Sequence, residues 1–316
     1  MTRLLIALAV ALCSSIASAQ YPNRPVRVVI HFPAGGSTDL VARTLSQALS
    51  ESMGQPFVVE NRTGADGAIA AAAVMQSPPD GHTLFIATNT AMLQVPLLKK
   101  SPPYDPVKDF TPISLVGRYT FLLVVTPSLG VNTFSELVAY ARANPGKINF
   151  STYSGASQLT YAQIVKNANV DMLRVPYKGE APSVTDILGG TIHAVFATPT
   201  STFAHIQSGK LRALAVTLPQ RWPLLPNVPT TVEAGMPPIT VEFFAAMYAP
   251  AGVPHDIASR VSRELAAIIA RPQIKEAIDK QGFALAASTP EELRTFTRNQ
   301  LEAWGRGFRE AGIHPE

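Results

Sequence analysis

Cysteine is almost missing from this sequence. Cys13 is the only one among 316 residues. It lies in an N-terminal stretch that reads as a cleavable leader: Arg3, an apolar run from Leu4 to Leu12, and then Ala17-Ser18-Ala19 before Gln20. With residues 1–19 removed, the remaining chain has no thiol, which excludes a disulfide framework and thiolate chemistry. Lipid attachment at Cys13 is disfavoured because Leu12 precedes it and the apolar run would be cut short. Long hydrophobic runs are scarce as well. The leader's run is shorter than the roughly 20 residues a membrane-spanning helix needs, and no later stretch is long and uncharged enough. Charge is sparse at 15%, and 26 basic against 22 acidic residues leave a net +4 without a basic stripe or run. A nucleic-acid partner, which needs a clustered basic footprint, is therefore not expected.

What is present is a compact apolar composition, 47% hydrophobic, punctuated by 27 prolines that indicate many firm turns. From Val26 the chain reads strand Val26 to Ile30, glycine loop Pro33 to Ser37, helix Asp39 to Met53 and strand Pro56 to Glu60. A glycine-rich Thr63 to Gly67, an alanine-rich helix to Gln76 and strand Thr83 to Ala87 follow. This is a βαβαβ unit. The second half repeats the order: strand Lys147 to Thr152, loop Ser154 to Ser157, helix Gln158 to Asn169 and strand Asp171 to Pro176. The Lys178-Gly179-Glu180 turn, helix Ala181 to Leu188 and strand His193 to Phe196 complete it. The likeness is one of element order, not residue identity.

Extended crossovers are expected across Phe110 to Pro127 and at Phe243 to Ala249, with another strand at Leu211 to Thr217. Three terminal helices, Pro254 to Ala270, Pro272 to Gln281 and Pro290 to Ala311, each open on a proline suited to a first helical turn. The expected fold class is therefore α/β, with two βαβαβ-type domains joined by two crossover strands. Residues 21–120 with 241–316 would form lobe one, and 121–240 lobe two.

Open α/β sheets bind ligands beyond the carboxyl ends of their strands. Both lobes place a small-residue loop there. Gly35 and Gly36 permit close backbone approach, and Ser37, Thr38 or Asp39 can cap the next helix. Exposed N–H groups at a positive helix end suit an anion. Ser154, Gly155 and Ser157 offer the same in lobe two, so a carboxylate could be held from both sides. Either loop alone reads first as a tight βα turn, since glycine turns are common; the pairing reverses that and favours a site. Neither loop has the Lys-Ser/Thr ending of a phosphate loop or a dinucleotide fingerprint. Catalysis finds no support either: Gly-x-Ser-x-Gly is absent, and the six histidines lack metal spacing. No carboxylate pair suits acid–base work. His31, at the end of the first strand, is the one histidine placed to face a ligand. Asp39 reads as an organiser of the loop ahead of a direct contact.

Phe32-Pro33-Ala34-Gly35-Gly36-Ser37-Thr38-Asp39 resembles the corresponding loop of the Bug family, the periplasmic receptors of tripartite tricarboxylate transporters. Further matching blocks are Glu60-Asn61-Arg62, Pro78 to Leu84, Tyr104 to Phe110, Ala143 to Lys147, Val175 to Gly179, Gly209 to Thr217 and Phe244 to Gly252. The resemblance runs the length of the chain after the leader. It implies a type II-like, two-lobed periplasmic binding protein that closes on an organic anion, needs no cofactor, and is not an enzyme. Its implied partners are a small organic acid and the membrane subunits of such a transporter, with the receptor itself monomeric. The first-lobe ligand-binding residues expected on this basis are His31, Phe32, Ala34, Gly35, Gly36, Ser37, Asp39 and Asn89. The second lobe would contribute Tyr153, Ser154, Gly155, Ser157, Tyr177, Ala197 and Thr198.

Four features depart from the family pattern. His31 stands where many members have proline, and the Ser151 to Ser157 loop is about one residue short. Ala197 replaces a common aspartate, which lowers the expectation of an amino-acid ligand. Glu180 adds a negative charge near a helix start, where it either disfavours a second ligand carboxylate or caps the helix. Three rivals remain open at this level: a sensor that reports ligand to a signalling partner, a secreted enzyme on the same scaffold, and a surface-interaction protein with no cleft ligand.

Overall fold

The computed structural model describes residues 21–177, 179–236, 242–280 and 282–315. The leader at 1–19, Lys178 of the expected turn and the expected lobe boundary at 240/241 lie outside them.

In chain order, the first lobe opens with β1 (Val26–Ile30), α1 (Ser37–Met53), β2 (Phe57–Asn61), α2 (Ala68–Met75), β3 (Thr83–Thr88), α3 (Val95–Leu98) and β4 (Phe110–Tyr119). The chain then crosses into β5 (Leu122–Val125), α4 (Phe134–Ala143), β6 (Asn149–Thr152) and α5 (Gly155–Ala168). β7 (Leu173–Pro176), α6 (Glu180–Leu188), β8 (Ala194–Ala197), α7 (Pro199–Gln207) and β9 (Arg212–Val216) complete that lobe. It returns through β10 (Phe244–Pro250) to α8 (His255–Ile269), α9 (Pro272–Asp279), β11 (Phe283–Leu285) and α10 (Pro290–Glu310).

Two sheets result, ordered β11-β4-β10-β3-β1-β2 and β7-β6-β8-β5-β9. β1 pairs in parallel with β2 and β3, and β6 in parallel with β7 and β8. In each sheet the next strand over, β10 or β5, comes from a crossover and runs antiparallel. The repeated element order is thus a repeated topology.

Alternation along each strand explains why both faces of each sheet are covered. Val28, Ile30, Leu84 and Ile86 pack on Leu45 and Leu49 of α1 and Leu265 of α8. Val29, Phe85 and Ala87 face the other way, towards Trp304 and Phe308 of α10. In the second sheet Leu123 and Val125 meet Phe134 and Leu137 of α4, while Leu122 and Val124 meet Ile187 of α6. The lobes also touch directly: Ala156 and Leu159 of α5 join the apolar cluster around Trp304. Gly307 of α10 admits that contact, since a Cβ there would sit 3.0 Å from a Leu159 methyl.

Several local expectations are corrected. α1 begins at Ser37 with Gly36 as its N-cap and no side-chain cap, so Ser37, Thr38 and Asp39 lie in the first turn instead of capping it. α5 begins at Gly155, not near Gln158, because Ser154 and Ser157 form a capping box that starts the helix earlier. Pro254 is the N-cap of α8, whereas Pro272 and Pro290 do stand in their helices' first turns. The short β11 was not expected. It pairs with β4, and a Cβ on Gly117 would collide with the Ala284 carbonyl, so only glycine lets it approach.

Candidate ligand cleft

The carboxyl ends of β1 and β3 face those of β6 and β8 across a cleft of about 350 Å³. On the first-lobe side the β1–α1 loop is held from inside by Asp39, which is 2% exposed. Its Oδ2 accepts from Gly35 N at 2.9 Å and from Arg43 Nε at 2.9 Å, and its Oδ1 accepts from Asn61 Nδ2 at 2.9 Å. Asn61 also donates to the Phe32 carbonyl at 2.9 Å. The Arg43 hydrogen bond, with the Gly35 and Asn61 donors behind it, outweighs burial and holds the Asp39 carboxyl down at about 2. Asp39 is therefore an ionised organiser of the loop whose acceptors are engaged.

With no side chain on its cap, the N-terminus of α1 presents its first-turn amides between Gly36 and Thr38. Phe32, Pro33, Gly36, Ser37 and Thr38 line the cleft there, and Thr38 exchanges a short hydroxyl–hydroxyl hydrogen bond with Tyr119. Behind them, His31 is 6% exposed and does not reach the cleft. Its Nε2 meets Thr88 Oγ1 at 3.1 Å, and its ring packs on Phe32 with centroids 4.1 Å apart. Burial pushes the imidazole down to about 4, so it is neutral near pH 7. His31 thus supports Thr88, a wall residue, from behind.

The second-lobe wall is Tyr153, Ser154, Ala156, Glu180, Thr198, Pro199 and Thr200. Ser157 is buried beneath it, where its Oγ accepts from the amides of Tyr153 at 2.8 Å and Ser154 at 2.9 Å. Tyr153 donates its hydroxyl to the Phe196 carbonyl at 2.9 Å. Burial, reinforced by the negative charge of Glu180, raises that phenol well above its ordinary range. Glu180 reaches across to the start of α7: its Oε1 accepts from Thr198 N at 2.6 Å, from the Thr198 hydroxyl at 2.9 Å and, in a short contact, from the Ser201 hydroxyl.

Of the sequence-expected residues, Phe32, Gly36, Ser37, Asn89, Tyr153, Ser154 and Thr198 line one cleft. The others do not. Ala34 and Gly35 are exposed on the loop's outer side, and Ala197 is fully buried at the end of β8. Gly155 turns towards Gln94, whose amide would lie 3.0 Å from a Cβ there. Tyr177 turns away and bonds Asp186 Oδ2 at 2.6 Å. The sequence-expected set left out the connections themselves: Tyr119, Thr120, Phe121 and Phe243 form the floor, with Gly282 beside them. The aromatic residue at the same point of both crossovers was the available signal.

Two α/β lobes of matching topology, two extended connections and a ligand-sized cleft at the strand ends define a solute-binding protein of the two-lobed kind. The chain belongs to the tripartite tricarboxylate transporter receptor family, whose model matches residues 41–313. It is 35% identical to protein BugT of Bordetella pertussis over 322 residues, covering 99% of this chain and 98% of that one. Its fold is similar to that of the periplasmic binding protein BugD, with a TM-score of 0.76 and 33% identity over 94% of this chain and 100% of that one. It is likewise similar to R. palustris Rpa4515 with adipate, with a TM-score of 0.80 and 32% identity over 94% of this chain and 100% of that one.

Proposed function

We propose that this protein captures a small organic carboxylate between its lobes in the periplasm and delivers it to the membrane subunits of a tripartite tricarboxylate-type transporter. The observation that carries this reading is the uncapped N-terminus of α1, 17 residues long, opening into the cleft. A helix N-terminus with unpaired amides favours an anion, and a carboxylate there would also meet Ser37 and Thr38. The adipate-bound relative supports the ligand class.

Lobe one is taken as 21–120 with 241–316, and lobe two as 121–240. Phe32, Gly36, Ser37, Thr38, Asn89, Tyr153, Ser154 and Thr198 are the contact residues. The ligand docks on the α1 loop, and lobe two closes over it because the closed state binds it more tightly. One chain builds both walls, so a monomer suffices.

A thermal-shift screen of mono-, di- and tricarboxylates and aromatic acids tests this. A ligand at a hundred times its dissociation constant adds about 2.7 kcal/mol, so at least one acid is expected to raise Tm by a few degrees. Silence across the panel would remove the proposal.

A further inference from the structure

We infer that Glu180 is a built-in occupant of the second-lobe anion position, so that the solute is a monocarboxylate whose far end carries a hydrogen-bond donor and no second acid. This rests on the solute-capture reading above and narrows its ligand class.

Helices α1, α5, α6 and α7 begin at or beside the cleft, as does the helical turn from Thr90 that leads into α3, where Thr88 Oγ1 takes the Thr90 amide at 3.3 Å; they differ in what meets their first turns. α5 is capped by its own Ser154 and Ser157. α6 carries Glu180 as its first residue. α7 has Pro199 at its start and is met by Glu180, whose Oε1 takes the Thr198 amide at 2.6 Å, the Thr198 hydroxyl at 2.9 Å and the Ser201 hydroxyl. One carboxylate therefore serves the positive ends of two helices. α1 and α6 both have a glycine N-cap without a side-chain cap and an acid in the first turn. Asp39 of α1 is paired with Arg43 at 2.9 Å, whereas Glu180 has no cation partner among the described residues, so the first turn of α1 is the better placed of the two for an incoming anion. The electrostatics therefore favour a carboxylate at the first-lobe end of the cleft over the second-lobe end.

The charge around the cleft points the same way. Among the described residues that line it, Glu180 is the one charged side chain; the rest are hydroxyls, an amide, aromatic rings and small or apolar groups. A second ligand carboxylate reaching the second lobe would meet Glu180 with no described cation beside it, and like charges so placed disfavour binding strongly. A carboxylate has two acceptor oxygens, and the donors on Glu180 among the described residues all meet Oε1. A hydroxyl, amide or ammonium at the ligand's far end matches the acceptor capacity that remains.

Paired probes of equal length test this by calorimetric titration of the wild type and Glu180→Gln: adipate against its monoamide, and terephthalate against 4-carbamoylbenzoate. The glutamine keeps an Oε1 acceptor for Thr198 and Ser201 while removing the charge. In at least one pair the wild type is expected to bind the monoacid about tenfold or more tighter than the diacid, and E180Q is expected to shrink that gap to about threefold or less. A diacid that binds the wild type as tightly as its monoamide overturns the inference while leaving solute capture standing. So does a gap that survives in E180Q. If the wild type binds none of the acids in this set or in the wider panel, capture itself fails and the inference with it. Should E180Q not fold, the wild-type comparison decides alone.

Discussion

Phe121 and Phe243, one at each junction between the lobes, stack with ring centroids 4.3 Å apart and planes inclined by 37°. Nearby, the Arg118 guanidinium pairs with the Glu242 carboxylate, tying the two crossovers together a second time. The rings form part of the floor of the cleft, at the point where both connections pass between the lobes. Aromatic pairs of this kind contribute about 0.5–1.5 kcal/mol beyond their buried area. Phe121→Ala is expected to lower stability in urea by at least that amount and to weaken acid binding, because ligand contact and the packing between the connections are lost together. Unchanged affinity would separate that packing from the site.

Asp39 gathers three donors of the β1–α1 loop and its surroundings onto one carboxylate. Asp39→Ala removes the acceptor of Gly35 N and Arg43 Nε and one of the two acceptors of Asn61 Nδ2, and hydrogen bonds to a charged acceptor contribute about 1.5–3 kcal/mol. The β1–α1 loop should loosen, so affinity is expected to fall about tenfold or more through misplaced amides. Asp39→Asn, which keeps one oxygen, should retain more of both. Because the folded carboxyl titrates at about 2 against an ordinary 3.8, its contribution is present above pH 3.8 and fades as pH falls towards 2. Urea midpoints of the three proteins at pH 7 and pH 3 check this.

His31 makes a separate acid-side prediction. It is neutral in the fold down to about pH 4, whereas the unfolded imidazole titrates at 6.5. Between those values the unfolded chain binds a proton that the fold refuses, so stability falls as pH drops from 6.5 to 4, by about 3 kcal/mol. Above 6.5 and below 4 this residue contributes no slope. His31→Gln should remove that portion of the pH dependence, measured as the difference in unfolding free energy between the two proteins across the window.

Gly282 borders the cleft with φ +70, and a Cβ there would lie 2.6 Å from the Pro199 ring of the other lobe. Gly282→Ala meets both a left-handed backbone, which costs about 1–2 kcal/mol, and a rigid neighbour. The lobes are expected to be held apart, lowering affinity with a smaller effect on Tm. Small-angle scattering with saturating acid should show a larger radius of gyration than the wild type.

Much of the architecture was legible because it is local. Short β-branched runs such as Val26 to Ile30, and Gly35-Gly36 before Asp39, mark strand, loop and helix within a dozen residues. The doubled element order then implied two lobes. The chemistry of the walls was less legible because it depends on distant partners. His31 ends a strand beside the loop, yet whether it faces the cleft is decided by Thr88, 57 residues away. Ser157 has the composition of a contact residue but is drawn inward by the capping box. Glu180 was visible as an added charge. Its hold on Thr198 and Ser201 required the fold of α6 against β8. Strand β11 is three residues long and exists because Gly117 lets it close.

The central claim is that an organic acid sits between the lobes with its carboxylate at the start of α1. A crystal structure with the tightest acid from the screen tests it most directly. The expected result is density in the cleft with carboxylate oxygens at hydrogen-bond distance from the Ser37–Thr38 turn and with contacts from Tyr153, Ser154 or Thr198 of the other lobe. An acid bound outside this cleft, or one touching a single lobe with its carboxylate away from α1, would contradict it.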